Sequence, residues 1–280
     1  MKRLLILITF AVISCSNEKS EELPVNLVWE DNFKGSSLDT NFWNIYIGNG
    51  CPEFCGFGNH ELQYYTNQYS NLKVEDGKLT ISAYYDTISS LFTSAKITTK
   101  NKVDFQKGYL EVVAKLPNAI GSWPAIWMLP TIERALNWPL DGEIDIMENV
   151  GYDSCKIHGT IHTKSYNHTI NTQKSDSIII NSAHQDFHTY AINWTDSILE
   201  WYVDSEIYNS IKRLPNDQQE QWPFDKSFHL ILNQAVGGDW GGRFGVDTSS
   251  YPQNFIIESV RLFKIAHKSN FSIFDRLLGT

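Results

Sequence analysis

Several features that would place this 280-residue chain in a common protein class are missing. Lysine and arginine form no runs and the formal charge is −9 at pH 7, which argues against nucleic acid as a partner and against polyanionic substrates. No long segment repeats apolar residues with a period of 3.6, so a helical core is not expected. The chain also has no G-x-S-x-G elbow, Walker A loop or Rossmann glycine pattern, which removes the usual basis for serine hydrolases, NTPases and dehydrogenases.

Cysteine is scarce, with four residues in the chain. Cys51 and Cys55 bracket Pro-Glu-Phe in a glycine-rich loop and could form a small local disulfide in an oxidising compartment. Cys155 has no obvious partner, and we interpret it as a buried free thiol that packs as a small apolar residue. A C-x-x-x-C pair without neighbouring histidine or further cysteine is a weak zinc signal.

The longest apolar stretch, Leu4 to Ile13, follows Lys2 and Arg3 and is too short to span a bilayer. The residues Val-Ile-Ser-Cys that end at Cys15 resemble a bacterial lipobox. We therefore expect Cys15 to be the lipidated first residue of an exported bacterial lipoprotein, held at the outer membrane or cell surface or facing the periplasm. The alternative is simple secretion with cleavage nearby. The predicted organisation is a signal peptide at 1–14, a flexible tether at 15–25, one folded domain at 26–267 and a C-terminal tail at 268–280.

Strand-like alternation recurs along the folded domain, and an aromatic content of 13% favours a β-rich protein. From Leu110 to Leu116, every second residue is apolar and shares one face. This spacing predicts an all-β sandwich or barrel, with a short helix only around Thr131 to Leu136. Other strands are predicted at Leu27–Phe33, Leu79–Tyr84, Ser94–Thr99, Ile157–Thr163, Thr189–Trp194, Leu199–Val203, His229–Val236 and Val260–Ile265.

The most informative segment is Asp141 to Val150, in which Glu143 and Asp145 alternate with isoleucines. This pattern predicts a strand with carboxylates on one face. Strict alternation would turn Glu148 to the opposite face, and a one-residue bulge at Met147 would bring it back.

Three carboxyls on one strand face would repel one another, so at least one of them should have a raised pKa. A protonated acid beside an ionised carboxylate is what glycoside hydrolysis requires, because one group protonates the leaving oxygen while the other attacks or activates water. The alternative is an ordinary solvated strand face, although like charges there are destabilising without a function.

Tryptophans and histidines accompany these carboxylates. Trp123 and Trp127 share one face of the preceding strand, where they either stack on sugar rings or fill the core. Trp240 lies among four glycines in a surface loop, which favours a contact with substrate. His158 and His162 share a strand face and are interpreted as hydrogen-bonding residues near the carboxylates, with a structural role as the alternative; a catalytic zinc would need a third protein ligand, and none is indicated. Four other tryptophans among aliphatic neighbours are expected to be structural: Trp29, Trp43, Trp194 and Trp201.

Six segments together resemble glycoside hydrolase family 16, and in particular its laminarinase-type branch. Their order and the Glu-x-Asp-x-x-Glu spacing make the resemblance specific, and it spans nearly all of the mature chain. The segments are Gly58–Thr66, Ser94–Ile97, Trp123–Pro130, Gly142–Gly151, His158–His162 and Leu232–Gly238.

The resemblance implies a β-jelly-roll sandwich of two antiparallel sheets with a concave catalytic face. It also implies endo-hydrolysis of β-1,3-glucosidic bonds in laminarin-type or mixed-linkage β-glucan, with retained anomeric configuration. Glu143 matches the nucleophile, Glu148 the acid/base and Asp145 the carboxylate that orients the nucleophile, with the two glutamate carboxyls expected about 5 to 5.5 Å apart. Cleft positions of the family match Asn59, Trp123, Trp127, Trp138 and Trp240, and the strand argument adds His162.

Catalysis of this kind requires no cofactor. Many family members bind a structural calcium on the convex face, and the matching positions here are Asn32 and Glu258 in place of the commoner Glu and Asp, so weaker calcium binding is expected. Lys96 and Val113 stand where relatives often carry arginine. The protein is expected to act as a monomer on β-glucan.

Two other functions remain open from the sequence. The same carboxylate spacing occurs in relatives that cut agars and carrageenans, although the acidic charge and the segment Gly58–Thr66 favour a neutral glucan. A surface glycan-binding protein that has lost catalysis is the third candidate, although such proteins typically lack the glutamates that are present here.

Overall fold

Strands predominate in residues 25–265, which are the residues that the computed structural model describes. Alternation of apolar and polar residues produces them: along Gly108–Lys115, every second side chain is buried and the others are half-buried. The strands are β1 (Val25–Asp31), β2 (Asn44–Tyr46), β3 (Gln63–Tyr65), β4 (Leu72–Glu75), β5 (Lys78–Asp86), β6 (Leu91–Ser94), β7 (Lys96–Thr98), β8 (Asp104–Phe105), β9 (Gly108–Lys115), β10 (Ser122–Pro130), β11 (Glu143–Glu148), β12 (Lys156–His162), β13 (Lys174–Ile179), β14 (His188–Trp194), β15 (Ile198–Val203), β16 (Glu206–Lys212), β17 (Phe228–Val236) and β18 (Gln253–Ile265). Short 3-10 helices lie at Cys55–Gly58, Gly151–Asp153, His168–Ile170 and Thr248–Ser250.

The strands form two sheets. The outer sheet has the order β16-β15-β14-β9-β18-β5-β6-β3, with β1 beside β18 and β4 beside β5. The inner sheet has the order β13-β12-β11-β10-β17-β7-β2, with β8 beside β17. Neighbouring strands are antiparallel apart from β3 and β6, which pair in parallel. The predicted jelly-roll sandwich is thus confirmed, and the acidic strand β11 lies inside the inner sheet, between β10 and β12.

The core lies between the sheets. Trp43, Trp194 and Trp201 are fully buried in it, as predicted, and Trp29 packs against it. Each predicted strand is present with ends shifted by a few residues, except that Ser94–Thr99 is interrupted at Ala95 and the last predicted strand is the end of the longer β18.

The two cysteine predictions have different outcomes. Cys51 and Cys55 form the expected disulfide, with an S–S distance of 2.03 Å. Cys155 is a free thiol, but it is half-buried rather than buried, because it lies in the turn before β12 and not within a strand.

The helix predicted around Thr131 to Leu136 is wrong, since this segment has no helical turn. The guanidinium of Arg134 instead donates hydrogen bonds of 2.7 and 2.5 Å to the carboxylate of Asp141, which also accepts the backbone N–H of Asn137 at 2.7 Å. These bonds satisfy a buried carboxylate, whereas a helix of so few residues has little stability of its own.

The predicted signal peptide, Cys15 and the C-terminal tail lie outside the described residues. Within residues 25–265, no helix is long and apolar enough to cross a membrane.

Candidate active site

The acidic strand β11 carries the bulge that its sequence predicts. On β12 only Gly159 lies opposite the two residues Ile146 and Met147, and both of these side chains are buried. The extra residue restores the alternation, so Glu148 joins the other two carboxyls on the cleft face of the sheet.

Side chains of the outer sheet hold this bulge from behind. Trp201 on β15 donates its indole N–H to the backbone oxygen of Asp145 at 2.7 Å, and Tyr208 on β16 donates its hydroxyl to the backbone oxygen of Ile146 at 3.3 Å. These bonds replace ladder partners that a bulge removes. Gly159 makes room for them, because a Cβ there would lie 2.5 Å from the Trp201 ring and 2.6 Å from the Tyr208 hydroxyl oxygen.

Glu143 lies at the start of β11, in a cluster with Asp145 and aromatic rings. The indole N–H of Trp138 donates to Glu143 Oε2 at 2.9 Å. His162 Nε2 lies 3.3 Å from Asp145 Oδ2, and one polar atom from each of Glu143, Asp145 and His162 lies within 4.8 Å of the others. The ring of His168 packs against Trp138 with centroids 5.1 Å apart and closes this side of the cluster.

Glu148 lies at the other end of β11 and has different neighbours. The indole N–H of Trp123 donates to Glu148 Oε1 at 3.0 Å. Trp240, from the glycine-rich loop at 237–242, packs edge-on against two rings. Its centroid lies 5.5 Å from that of Trp123 and 5.1 Å from that of His158. Because His158 is the register partner of Glu148 on β12, the four side chains form one group around the carboxyl.

Burial determines how the three carboxyls hold protons. It raises the pKa of Glu148 well above its ordinary range, and the neighbouring charge of Asp145 raises it further. Burial, followed by the charge of Asp145, raises the pKa of Glu143 to about 8. Burial also raises the pKa of Asp145 to about 7. At neutral pH, Glu148 therefore keeps its proton, and Glu143 and Asp145 do not both carry a full charge.

The two carboxyls that share this proton have different polar partners. Glu143 receives the N–H of Trp138, whereas Asp145 Oδ2 is buried, takes part in no hydrogen bond and lies 3.3 Å from His162 Nε2. Oxygen atoms of the two carboxyls lie within 4.8 Å of each other, so Asp145 can orient Glu143.

A half-buried lysine, Lys96, forms part of the cleft wall near Glu143. The ammonium of Lys96 lies over three aromatic rings, and burial lowers its pKa while the carboxylates of Glu61 and Glu143 oppose that shift. The rings belong to Tyr46, Phe57 and Trp127, with the nitrogen 5.5, 4.8 and 4.9 Å from their centroids. The aromatic cage shields part of this charge from solvent.

Three hydrogen bonds fix the side of the cleft next to this lysine. Trp127 donates its indole N–H to Asn233 Oδ1 at 2.6 Å. The side-chain amide of Asn59 donates to Glu61 Oε1 at 3.4 Å, and the backbone oxygen of Asn59 accepts the N–H of Asp239 at 2.8 Å. Asn59 therefore connects the segment that precedes β3 to the glycine-rich loop.

The structure brings most of the predicted site residues together. Trp123, Trp138, His162 and Trp240 surround the carboxyls, and Trp123 and Trp127 are half-buried, so they are cleft residues and not core residues. Asn59 contacts Glu61 and not the three carboxyls of β11. Sequence reasoning missed four residues that shape the site: Glu61, His168, Trp201 and Tyr208.

The positions expected to hold calcium lie in the outer sheet. Asn32 directly follows β1. The last residue of β1, Asp31, pairs with Val260 of β18, and Glu258 lies two residues before Val260. The ammonium of Lys78 lies 4.0 Å from Glu258 Oε1 and places a positive charge where calcium would need oxygen ligands. These residues fit a calcium ion poorly, and no step of the chemistry is assigned to one.

Comparisons with known proteins agree with this site. Over 280 aligned residues the sequence is 41% identical to a β-glucanase of Rhodothermus marinus, covering 94% of this chain and 95% of that protein. Its fold matches the crystal structure of the laminarinase from Rhodothermus marinus with a TM-score of 0.81 at 40% identity, covering 86% of this chain and 98% of the other. The laminarinase from Flavobacterium sp. UMI-01 matches with a TM-score of 0.79 at 40% identity, covering 85% of this chain and all of the other.

Residues 59–253 match the family model of glycosyl hydrolases family 16, a range that includes all three carboxyls, their tryptophan partners and the glycine-rich loop. The chain therefore belongs to glycosyl hydrolases family 16.

Proposed function

We propose that this enzyme hydrolyses β-1,3-glucosidic bonds within laminarin-type β-glucan, with mixed β-1,3/1,4-glucan as a further substrate, and that it retains the anomeric configuration. The observation that carries the proposal is the contrast between two carboxyls on one bulged strand. Each accepts an indole N–H, but the pKa of Glu148 is raised well above its ordinary range, whereas that of Glu143 is raised to about 8, so Glu148 is the group that keeps its proton. The relatives named above, which are a β-glucanase and two laminarinases, support the same substrate class.

The retaining reaction assigns a separate role to each carboxyl. Glu148 donates its proton to the glycosidic oxygen as that bond breaks, and the carboxylate of Glu143 attacks the anomeric carbon to form a glycosyl ester. Glu148, now ionised, then removes a proton from water, which attacks the same carbon and releases Glu143. Asp145 orients Glu143 by a hydrogen bond throughout.

The cleft is suited to a neutral polysaccharide. Trp123, Trp127 and Trp138 present half-buried indole rings, and such rings stack on the apolar faces of sugars. The positive charge of Lys96, which interacts with Glu143, is caged by rings and balanced by Glu61, so it offers little attraction to a sulfated chain. Recognition should therefore rest on stacking and neutral hydrogen bonds, and activity should vary little with salt.

The test is a digest of laminarin, lichenan, curdlan and agarose with sizing of the products. Fastest cleavage of laminarin into oligosaccharides is expected, and faster cleavage of agarose would support the agarase-like alternative instead. Proton NMR of the first product should show retained configuration, and an inverted product would contradict the roles of the two glutamates.

Two variants distinguish the role of Glu143 from that of Glu148. Glu143→Gln should abolish turnover even of substrates with good leaving groups, whereas Glu148→Ala should regain part of its rate on such substrates when azide is added. A Glu148→Ala protein that azide does not rescue, or a Glu143→Gln protein that remains active, would contradict this assignment. Binding of laminarin without any cleavage by the unsubstituted enzyme would favour the glycan-binding alternative.

A further inference from the structure

Three tyrosines expose their rings on the outer sheet, away from the carboxyls. Tyr64 on β3 and Tyr84 on β5 both pair with Thr93 of the intervening strand β6, so the three residues form one cross-strand row. Tyr64 is 47% exposed and Tyr84 is 37% exposed. Tyr69, in the turn between β3 and β4, is 65% exposed. Both Tyr69 and Tyr84 lie near Lys73. We call Tyr64, Tyr69, Tyr84 and Thr93 the tyrosine face.

The backbone beneath this face is fixed. Asn71 is fully buried, and its side-chain amide donates to the backbone oxygen of Ser82 at 2.9 Å and to Thr93 Oγ1 at 3.1 Å. Its side-chain oxygen accepts the hydroxyl of Thr66 at 2.7 Å. The turn that carries Tyr69 is therefore tied to the row formed by the other two tyrosines, and little conformational entropy remains to be lost on binding.

The face is separate from the cleft. Successive residues of a strand point to opposite sides, and the neighbour of Tyr64 is Tyr65, which is buried and accepts a hydrogen bond from Asn233 at 3.0 Å beneath the cleft. Tyr64 consequently faces outward from the same segment whose earlier residues, Asn59 and Glu61, line the cleft. Substitutions on the tyrosine face therefore leave the catalytic residues untouched.

The chemistry of the face indicates a neutral ligand with both apolar surfaces and hydroxyls. The charged pair at its border, Lys73 and Glu75, is joined at 2.9 Å and carries no net charge. Tyrosine rings offer a flat apolar surface with a polar edge. Strands lie about 4.8 Å apart, so the rings of Tyr64 and Tyr84 stand about 10 Å apart, which suits successive stacking along an extended chain of sugar rings.

We propose that the tyrosine face is a second, non-catalytic binding site for the β-glucan chain that the cleft cleaves. The inference rests on the proposed function for the identity of the glucan. A polymer held at this face stays close to the enzyme after each cut, which raises its effective concentration at the cleft. The benefit should be largest for insoluble glucan and absent for oligosaccharides that fill only the cleft.

The experiment compares a Tyr64→Ala/Tyr84→Ala double variant with the unsubstituted enzyme. Two measurements are made: hydrolysis of soluble laminarihexaose, and retention of each protein, in a Glu143→Gln background that prevents turnover, on insoluble curdlan. The expected result is roughly tenfold weaker retention on curdlan, because two stacking rings are lost, with kcat/KM on laminarihexaose changed by less than about twofold. Hydrolysis of curdlan should fall in parallel with retention.

Two control variants show whether the loss of the tyrosine rings causes the weaker retention on curdlan. Tyr64→Phe/Tyr84→Phe keeps the rings and should retain most of the binding, and Ile179→Ala removes an equally exposed apolar side chain on β13 and should change nothing. Unchanged retention of the alanine variant on curdlan, or an equal loss on curdlan and laminarihexaose, would overturn the proposal. Failure of the proposed function would look different, because the unsubstituted enzyme would then bind curdlan without cutting laminarin.

Discussion

Replacing Glu143 by glutamine should stabilise the protein, and the gain should grow with pH. Burial and the charge of Asp145 raise the pKa of Glu143 from 4.5 to about 8. A carboxyl whose pKa is raised by folding binds its proton more tightly in the folded chain than in the unfolded chain. Its contribution to stability is therefore largest below the ordinary pKa and is lost as the pH rises from about 4.5 to about 8. Glutamine resembles the protonated acid at every pH and keeps an oxygen that can accept the N–H of Trp138.

The size of the effect follows from the two pKa values. Each tenfold change in proton affinity is about 1.4 kcal/mol, so the full difference approaches 5 kcal/mol and the expected gain is on the order of 3 to 5 kcal/mol at about pH 9. Near pH 4 the two proteins should be equally stable. In a domain of this size, each kcal/mol of unfolding free energy shifts the midpoint of thermal unfolding by about 2 to 4 °C.

The assay is thermal or urea unfolding of both proteins at several pH values. Glu75→Gln is the matched control, because Glu75 is exposed and pairs with Lys73 on the surface, and no gain that grows with pH is expected for it. Stability curves of the Glu143→Gln variant and the unsubstituted enzyme that run parallel from acid to alkaline pH would refute the reasoning, since Glu143 would then not be destabilised by its surroundings.

Four further predictions concern single features of the chain. Trp240→Ala should lower activity on laminarin by roughly ten- to a hundredfold with the thermal midpoint nearly unchanged, because its half-buried ring belongs to a glycine-rich loop; an equal loss of stability would show a core role instead. Gly159→Ala should cost about 1 to 3 kcal/mol of stability and reduce kcat, because its Cβ would displace Trp201 from the bulge; unfolding and kinetic measurements check this, and a fully stable and active variant would contradict it. Cys15→Ala should release the protein from the membrane fraction, and an unsubstituted protein that is wholly soluble with another N-terminus would contradict the predicted lipid anchor. EDTA should leave the melting temperature unchanged, and a drop that calcium restores would show that Asn32 and Glu258 bind the ion despite Lys78.

The acidic strand β11 was predictable because its pattern is local. The alternation of Glu143 and Asp145 with isoleucines defines the face, and the position of Glu148 then requires an extra residue, which the structure shows at Ile146 and Met147. The glycines around Trp240 likewise predict a loop without knowledge of its neighbours. Such features depend only on residues close together in the chain.

Contacts between distant segments could not be predicted in this way. The cage around Lys96 joins β2, the loop before β3 and β10, which no periodicity connects. The hydrogen bonds between Arg134 and Asp141, which accompany the absence of a helix at Thr131 to Leu136, join residues that are closer in the chain, but periodicity does not reveal them either. The row of Tyr64 and Tyr84 depends on the parallel pairing of β3 with β6. The other strand pairs of the sandwich are antiparallel, so this pairing could not be inferred from them.

Because Trp201 and Tyr208 bond to the backbone of β11, the positions of its three carboxyls depend on both sheets. Rim loops that do not contact the carboxyls can be changed without moving them, whereas a shift of β15 or β16 would be transmitted through these bonds to Asp145 and Ile146. Redesign of substrate preference should therefore begin in the loops and leave these two outer strands unchanged. During heating, catalysis should fail at the temperature at which the sheets separate and not before, so residual activity can serve as a sensitive measure of the packing between them.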